Sequence, residues 1–292
     1  MLYTGPSGPV FFHLPMFWST TRFRIDLSRP QVMGIVNVTP DSFSDGGQHA
    51  DAVSAQAHCD QLLAEGADIL DIGGESTRPG SSTPSEAQEW ARVEPALRHA
   101  MTLGVPVSVD TSSPLVIRNA LDLGVDIIND VRALQRPGAL EALVQSGVAA
   151  GVCLMHMQGE PATMQVAPEY DDVAAEVGAF LEERRTVLRA QGVADERIVL
   201  DPGYGFGKTV AHNLDLLRRQ RELLALGRPL LVGLSRKSCL GTVTGRPVSQ
   251  RLVPSVAAAL AAVAQGAQVV RVHDVAATVD ALKVWQAAGL VG

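Results

Sequence analysis

Aromatic side chains are scarce: three tyrosines, three tryptophans and seven phenylalanines make up 4% of the 292 residues. With hydrophobic residues at 46% and charged residues at 19%, a sizeable core has to be filled by Val, Leu, Ile and Ala, a filling that suits a barrel interior. Cysteine is nearly absent. Cys59, Cys153 and Cys239 are odd in number, far apart and without a CxxC pair, which excludes a disulfide framework and a zinc site and fits a reducing cytosol. Positive charge is in deficit, with 24 Lys and Arg against 31 Asp and Glu, so the net charge of −7 argues against nonspecific nucleic-acid binding. No apolar run approaches the roughly 20 residues that span a bilayer, the longest small-apolar stretch being 256–264. The first residues lack the basic start and clean apolar stretch of a signal peptide. We read residues 1–18 as an N-terminal extension, with Met16 an alternative start. The histidines show no HExxH or facial-triad spacing, so a protein-held transition metal is not expected.

What is present is a rhythm. Seven times a helical stretch gives way to a short turn, usually ending in Gly, and then to an apolar run that stops at a polar residue; with the first run there are eight. The runs fall within 31–41, 65–76, 103–112, 123–131, 146–157, 196–203, 226–238 and 265–275. Apolar runs without polar alternation, bounded by turn residues, indicate strands buried on both faces, as in parallel sheet. Between them lie segments long enough for one crossover helix each: 51–64, 83–102, 114–122, 137–144, 169–190, 210–225, 249–264 and 276–287. Eight such units predict one (β/α)₈ TIM barrel over 19–292, with 19–30 forming a short hairpin that plugs its bottom. In that fold the chemistry sits where strands end.

The ends of the runs are therefore the candidate site. Asp110, Asn129 and Asp201 offer two anionic acceptors and an amide, a set that complements a heterocycle edge rich in N–H groups. Taken singly, each is equally a helix N-cap; three at strand ends favour a site. Arg78, Lys208, Arg236, Lys237 and Arg271 all follow predicted strands, focusing positive charge on one rim of an acidic protein, as a small anionic ligand would require. Ser235, Ser238 and His273 join them after the last two strands, where barrels commonly hold phosphate. "GYGFGKT" at 203–209 is not a Walker loop, because Pro202 occupies the required first glycine; it reads as a βα loop offering Phe206 for stacking. Segments 39–47 and 75–82, rich in Gly, Ser, Asp and Pro, read as loops able to close over a substrate. Met155 and Met157 read as core or pocket wall.

The stretches MGIVNVTPDSFSDGG, DIGGESTRPG, VSVDTS, IIND, LMHMQG, DPGYGFGKT, LSRKS and RVHDV occur in the order, and at the strand ends, of the dihydropteroate synthase family. From about Asp26 to Gly292 the chain resembles that family. The resemblance implies condensation of 6-hydroxymethyl-7,8-dihydropterin diphosphate with 4-aminobenzoate, giving 7,8-dihydropteroate and pyrophosphate in folate synthesis. It also implies Mg²⁺, a cytoplasmic homodimer, small-molecule substrates and no membrane or nucleic-acid partner. Carried over by motif, Asp110, Asn129, Asp201 and Lys237 would hold the pterin, with Val131, Met155, Phe206, Leu231 and Gly233 as its wall. Asn37, Arg271 and His273 would bind the diphosphate, Asn37 also serving Mg²⁺. Asp41, Phe43, Thr77, Arg78, Pro79, Phe206 and Ser238 would form the aminobenzoate side and the lid. Asp110, Lys237, Arg271 and His273 would carry the catalysis. A pterin-dependent methyltransferase barrel is the rival enzyme, but it would not need the two loop signatures or Ser238; a noncatalytic paralogue would lose Asn37, Arg78, Lys237 or Arg271, and all four are present. Two departures stand out: Tyr204 where the family usually has Phe, and Pro254 where it usually has Gly. The proline predicts that the helix expected from 249 begins nearer Val253.

Overall fold

The computed structural model describes residues 16–38, 47–76, 83–161 and 163–290. Asp41, Phe43, Thr77, Arg78 and Pro79 lie outside the described residues.

A two-stranded antiparallel hairpin, β1 (Phe17–Ser19) and β2 (Arg24–Asp26), precedes eight parallel strands. These are β3 (Gln31–Asn37), β4 (Ile69–Gly73), β5 (Val107–Asp110), β6 (Ile127–Asp130), β7 (Gly151–Met155), β8 (Ile198–Asp201), β9 (Leu231–Val232) and β10 (Val269–Val272). Their order is β8-β7-β6-β5-β4-β3-β10-β9, and a parallel bridge between Leu200 and Leu230 brings β9 back to β8, so the sheet closes as the rhythm of runs predicts. Around it lie α1 (Gly47–Ala64), α2 (Glu86–Ala100), α3 (Pro114–Leu123), α4 (Ala139–Gln145), α5 (Val173–Ala190), α6 (Val210–Arg218), α7 (Ser238–Thr244), α8 (Leu252–Ala264) and α9 (Val275–Ala287).

Local chemistry sets the helix ends. Ser85 caps α2 through a capping box with Gln88, and Ser113 caps α3 with Pro114 in its first turn and Gly124, at φ 89°, ending it. Asp172 accepts from the N–H groups of Ala174 and Ala175, so α5 starts at Val173 and not at 169 as expected. Pro254 is the third residue of α8, inside the first turn, where its missing N–H has no helical partner to lose; the helix accordingly starts at Leu252. The expected helix 210–225 divides into α6 and a 3₁₀ segment, Gln220–Leu226. Helix α7 lies between β9 and α8, outside the eight crossover segments read from the sequence.

The barrel interior is apolar at its lower end. Met33, Ile69, Ile127, Cys153, Val199, Leu231 and Val269 converge there on Trp18 of the hairpin. Trp18 is fully buried and its Nε1–H donates to Arg197 O at 2.9 Å, so the large ring is sealed in without stranding its one polar atom. Gly151 makes room for it, since a Cβ there would approach Trp18 Nε1 to 2.8 Å. The hairpin thus plugs the bottom and starts at Phe17, two residues earlier than expected. Its turn is anchored by Arg22, which grips the buried Asp126 carboxylate through Nε at 3.0 Å and Nη2 at 2.6 Å. Truncating Trp18 to Ala would cost about 3–5 kcal/mol by the usual cavity arithmetic. With the floor closed, the opposite end alone is left for a ligand.

Candidate active site

Above the apolar layer the interior becomes charged. Asp71, in the middle of β4, is fully buried; Asp110 ends β5, Asn129 lies in β6, Asp201 ends β8 and Arg271 lies in β10. Strand register sets Asp110 beside Gly73 and Asn129. Arg271 then joins two carboxylates, with Nε donating to Asp71 Oδ2 at 2.5 Å and Nη2 to Asp110 Oδ2 at 2.6 Å. Asn129 Nδ2 also reaches the two oxygens of Asp71, at 3.4 and 3.2 Å. Such pairing is obligatory, because an uncompensated buried charge costs several kcal/mol. Burial holds Asp110 above the usual carboxylate range even though Arg271 pulls it back. Burial likewise raises Asp201 to about 6, against the Gly203 N–H it accepts at 2.7 Å and the nearby Lys237 charge. Three carboxylates and an amide oxygen thus share a space with the cations Arg271 and Lys237, an arrangement suited to a ligand with several N–H donors or with developing positive charge.

The loop after β8 supplies one wall. It runs back through Gly203 at φ 69°, where a Cβ would collide with the His156 carbonyl, so glycine is required there. Lys208 does not stand at the mouth as expected. It is 3% exposed, and its Nζ donates to Gly203 O at 2.9 Å and Phe206 O at 3.1 Å while meeting His156 Nδ1 at 2.9 Å. Lys208 is a strut inside the loop, pushed down to about 7 by burial, and His156 beside it is pushed down to about 3 for the same reason. The strut holds Phe206 against Val131, Met155 and Met164, with Met157 packed alongside. Met164 joins the expected wall without any signal in the sequence beyond its apolarity. Lys237 Nζ lies 4.0 Å from the Phe206 ring centroid, and burial plus the Arg271 charge lower it to about 8. Leu231, expected in the wall, belongs to the lower interior layer with Met33 and Val199, away from this cluster. Gly233 sits beside Arg271, where an added Cβ would be 3.9 Å from Arg271 Cβ.

The last strand ends split in two directions. His273 Nδ1 is 3.0 Å from Ser235 Oγ, which also accepts the His273 backbone N–H at 3.1 Å. Burial and the Arg271 charge lower His273 to about 3, so near neutral pH it is an uncharged donor or acceptor. Arg236 turns away: at φ 58° it forms an exposed ion pair with Asp274 at 2.6 Å and is a rim residue. Ser238 opens α7 and is exposed, and Asn37 ends β3 half-buried. Sequence reasoning missed Asp71 altogether. Its signal was a charge inside the otherwise apolar run "ILDIG".

The profile of pterin binding enzymes matches residues 33–273. A dihydropteroate synthase of Neisseria meningitidis serogroup B is 55% identical over 279 residues, which cover 94% of this chain and 98% of that relative. The chain belongs to the dihydropteroate synthase family. Among solved members, Xanthomonas albilineans dihydropteroate synthase with 4-aminobenzoic acid has a TM-score of 0.89 at 49% identity, over 96% of this chain and 100% of that one. Burkholderia cenocepacia dihydropteroate synthase complexed with 7,8-dihydropteroate has a TM-score of 0.85 at 48% identity, over 94% and 97%. Of the two departures from the family pattern, Tyr204 is accommodated by Gln220, whose Oε1 accepts the phenol O–H at 3.0 Å while its Nε2 donates to Ala262 O at 3.0 Å. Among the described residues no group of three or more His, Cys, Asp or Glu could hold a metal ion, and no helix is long and apolar enough to cross a membrane.

Proposed function

We propose a division of labour among these residues for the reaction of the family. The chain is a transferase of folate synthesis, joining 6-hydroxymethyl-7,8-dihydropterin diphosphate to 4-aminobenzoate with release of pyrophosphate. The observation that carries the assignment of the ring is the convergence of Asp110, Asn129 and Asp201 on one charged layer above a closed apolar floor. In this reading they accept from the pterin N–H groups, while Lys237, Val131, Met155 and Phe206 bound the ring. Breaking the CH₂–O bond leaves positive charge on the ring and negative charge on pyrophosphate. Asp110 is the carboxylate suited to the first, and Arg271 with neutral His273 donates to the second. Both are preorganised, so little rearrangement has to occur as charge develops.

Asn37 is the residue we assign to Mg²⁺. One neutral oxygen donor fits a cation that takes most of its ligands from substrate phosphates and water. When bound, Mg²⁺ would neutralise diphosphate charge. Asp41, Phe43, Thr77, Arg78, Pro79 and Ser238 are assigned to the aminobenzoate side, Ser238 to the carboxylate of the amine. The arylamine attacks neutral and gives its proton to water, so no general base is needed.

We also propose a cytoplasmic homodimer. The exposed apolar residues Val243, Val248, Leu252 and Val253 of the α7–α8 region suit a second copy, and the three buried free thiols suit a reducing compartment. The deciding assay follows pyrophosphate from the pterin diphosphate with and without Mg²⁺ and 4-aminobenzoate. Release that requires Mg²⁺ and continues slowly without the amine supports ionisation first; no release under any condition overturns the reading.

A further inference from the structure

Asp71 has no opening to solvent: it is fully buried, below the mouth, and none of the ligand roles assigned above falls to it. Yet it touches two residues that carry such roles, Asn129 and Arg271. A carboxylate can only accept, so the edge of the Asn129 amide facing Asp71 must be its nitrogen; reversing the amide would set Oδ1 against a carboxylate oxygen. Asn129 is 4% exposed, with little freedom to find another orientation. Its Oδ1 is thereby left for the mouth.

We propose that Asp71 is a specificity-determining positioning residue, which by accepting from Asn129 Nδ2 turns Asn129 Oδ1 toward the bound heterocycle. The recognition edge then reads as a row of acceptors, Asp110, Asn129 Oδ1 and Asp201, matched to a ring edge of N–H donors. The same carboxylate takes Arg271 Nε, so one buried charge sets both the hydrogen-bond polarity of the ring site and the plane of the guanidinium above it. This inference rests on the reading that Asn129 holds the pterin ring.

Asp71→Asn keeps shape and adds a donor, which allows the Asn129 amide to reverse. The test measures calorimetric binding of 6-hydroxymethylpterin, the ring without diphosphate, to the wild type, D71N, N129A and the double variant. The expected result is a roughly 10- to 100-fold loss for D71N, the size of one mispaired buried hydrogen bond, which shrinks below about threefold in the N129A background. Undiminished binding by N129A, or no binding by the wild type, sinks the pterin reading itself. If N129A weakens binding while D71N binds as tightly as the wild type, the Asp71 inference alone is overturned, as it is by a D71N loss that persists fully in the N129A background. Should D71N not fold, the side-chain amide signals of Asn129 in wild type bound to 6-hydroxymethylpterin decide: protons held by Asp71 support the proposal, and protons facing the ring overturn it.

Discussion

Arg271 Nη2 donates to Asp110 Oδ2 at 2.6 Å, so the carboxylate assigned to the developing cation is already paired before substrate arrives. The pairing favours the ionised form of Asp110 against a burial that raises it, and Asp71 accepts from Nε of the same guanidinium. Asp110→Asn retains shape and an acceptor but removes the charge. We expect kcat to fall by about 10²–10³-fold, the usual cost of one preorganised electrostatic group, while thermal stability changes little because Arg271 keeps Asp71. Steady-state pyrophosphate release and a melting curve check both parts.

The pH profile follows from two groups. In the proposed role Asp201 accepts from a ring N–H in its ionised form, and it is raised to about 6, so activity should be lost as pH falls through that value; the raised Asp110 adds to the same limb. In its proposed role Lys237 acts in the protonated form, and it is lowered to about 8, so activity should be lost as pH rises through that value. A bell in kcat/KM with limbs near these two values is expected. Lys237→Arg should remove the basic limb, since a guanidinium stays charged; a limb that stays in place would exclude Lys237 as its source.

Lys208 holds two loop carbonyls and His156 from inside. Lys208→Met would strand those acceptors, at about 3 kcal/mol of stability. Because the strut backs Phe206, KM for the pterin diphosphate should rise as well. Urea unfolding and initial-rate measurements report the two effects separately.

Glu89 of α2 is buried against Thr111, whose Oγ1 donates to it at 2.5 Å, and burial raises it to about 7. A carboxylate raised in the fold loses its proton first in the unfolded chain. Folding is therefore penalised progressively as pH rises from the unfolded value near 4.5 to the folded value near 7, and the penalty is complete above it. Glu89→Gln keeps the acceptor for Thr111 without the charge. It should stabilise the protein by up to about 3 kcal/mol at pH 8 and by little at pH 5, which melting curves at the two values resolve.

The barrel was legible because parallel strands buried on both faces leave apolar runs between helices, and the mouth because those runs end in polar residues. That Asp110, Asn129 and Asp201 lie at that end of the barrel could be read from position alone. Asp71 could not: in a strand covered on both faces the sequence has no alternation to reveal which side chains point inward, so a charge in mid-run has no readable address. Lys208 misled for a related reason. A lysine after a strand looks like rim charge, and only the three-dimensional return of its own loop, through left-handed glycines, folds it under. Leu231 and the extra helix α7 depended on where β9 stops, after two residues, which the longer apolar run 226–238 concealed.

The join between β8 and β9 is the thinnest seam of the barrel: one bridge, Leu200 to Leu230, with Leu200 N donating to Pro229 O at 2.9 Å and a proline as neighbour that can return no N–H. Asp201 stands on one side of that seam and Lys237 follows from the other. In the proposed assignment, a substrate held by both would act as a clasp across the place where the backbone fastens the cylinder least, so occupancy and the cohesion of the barrel would rise and fall together.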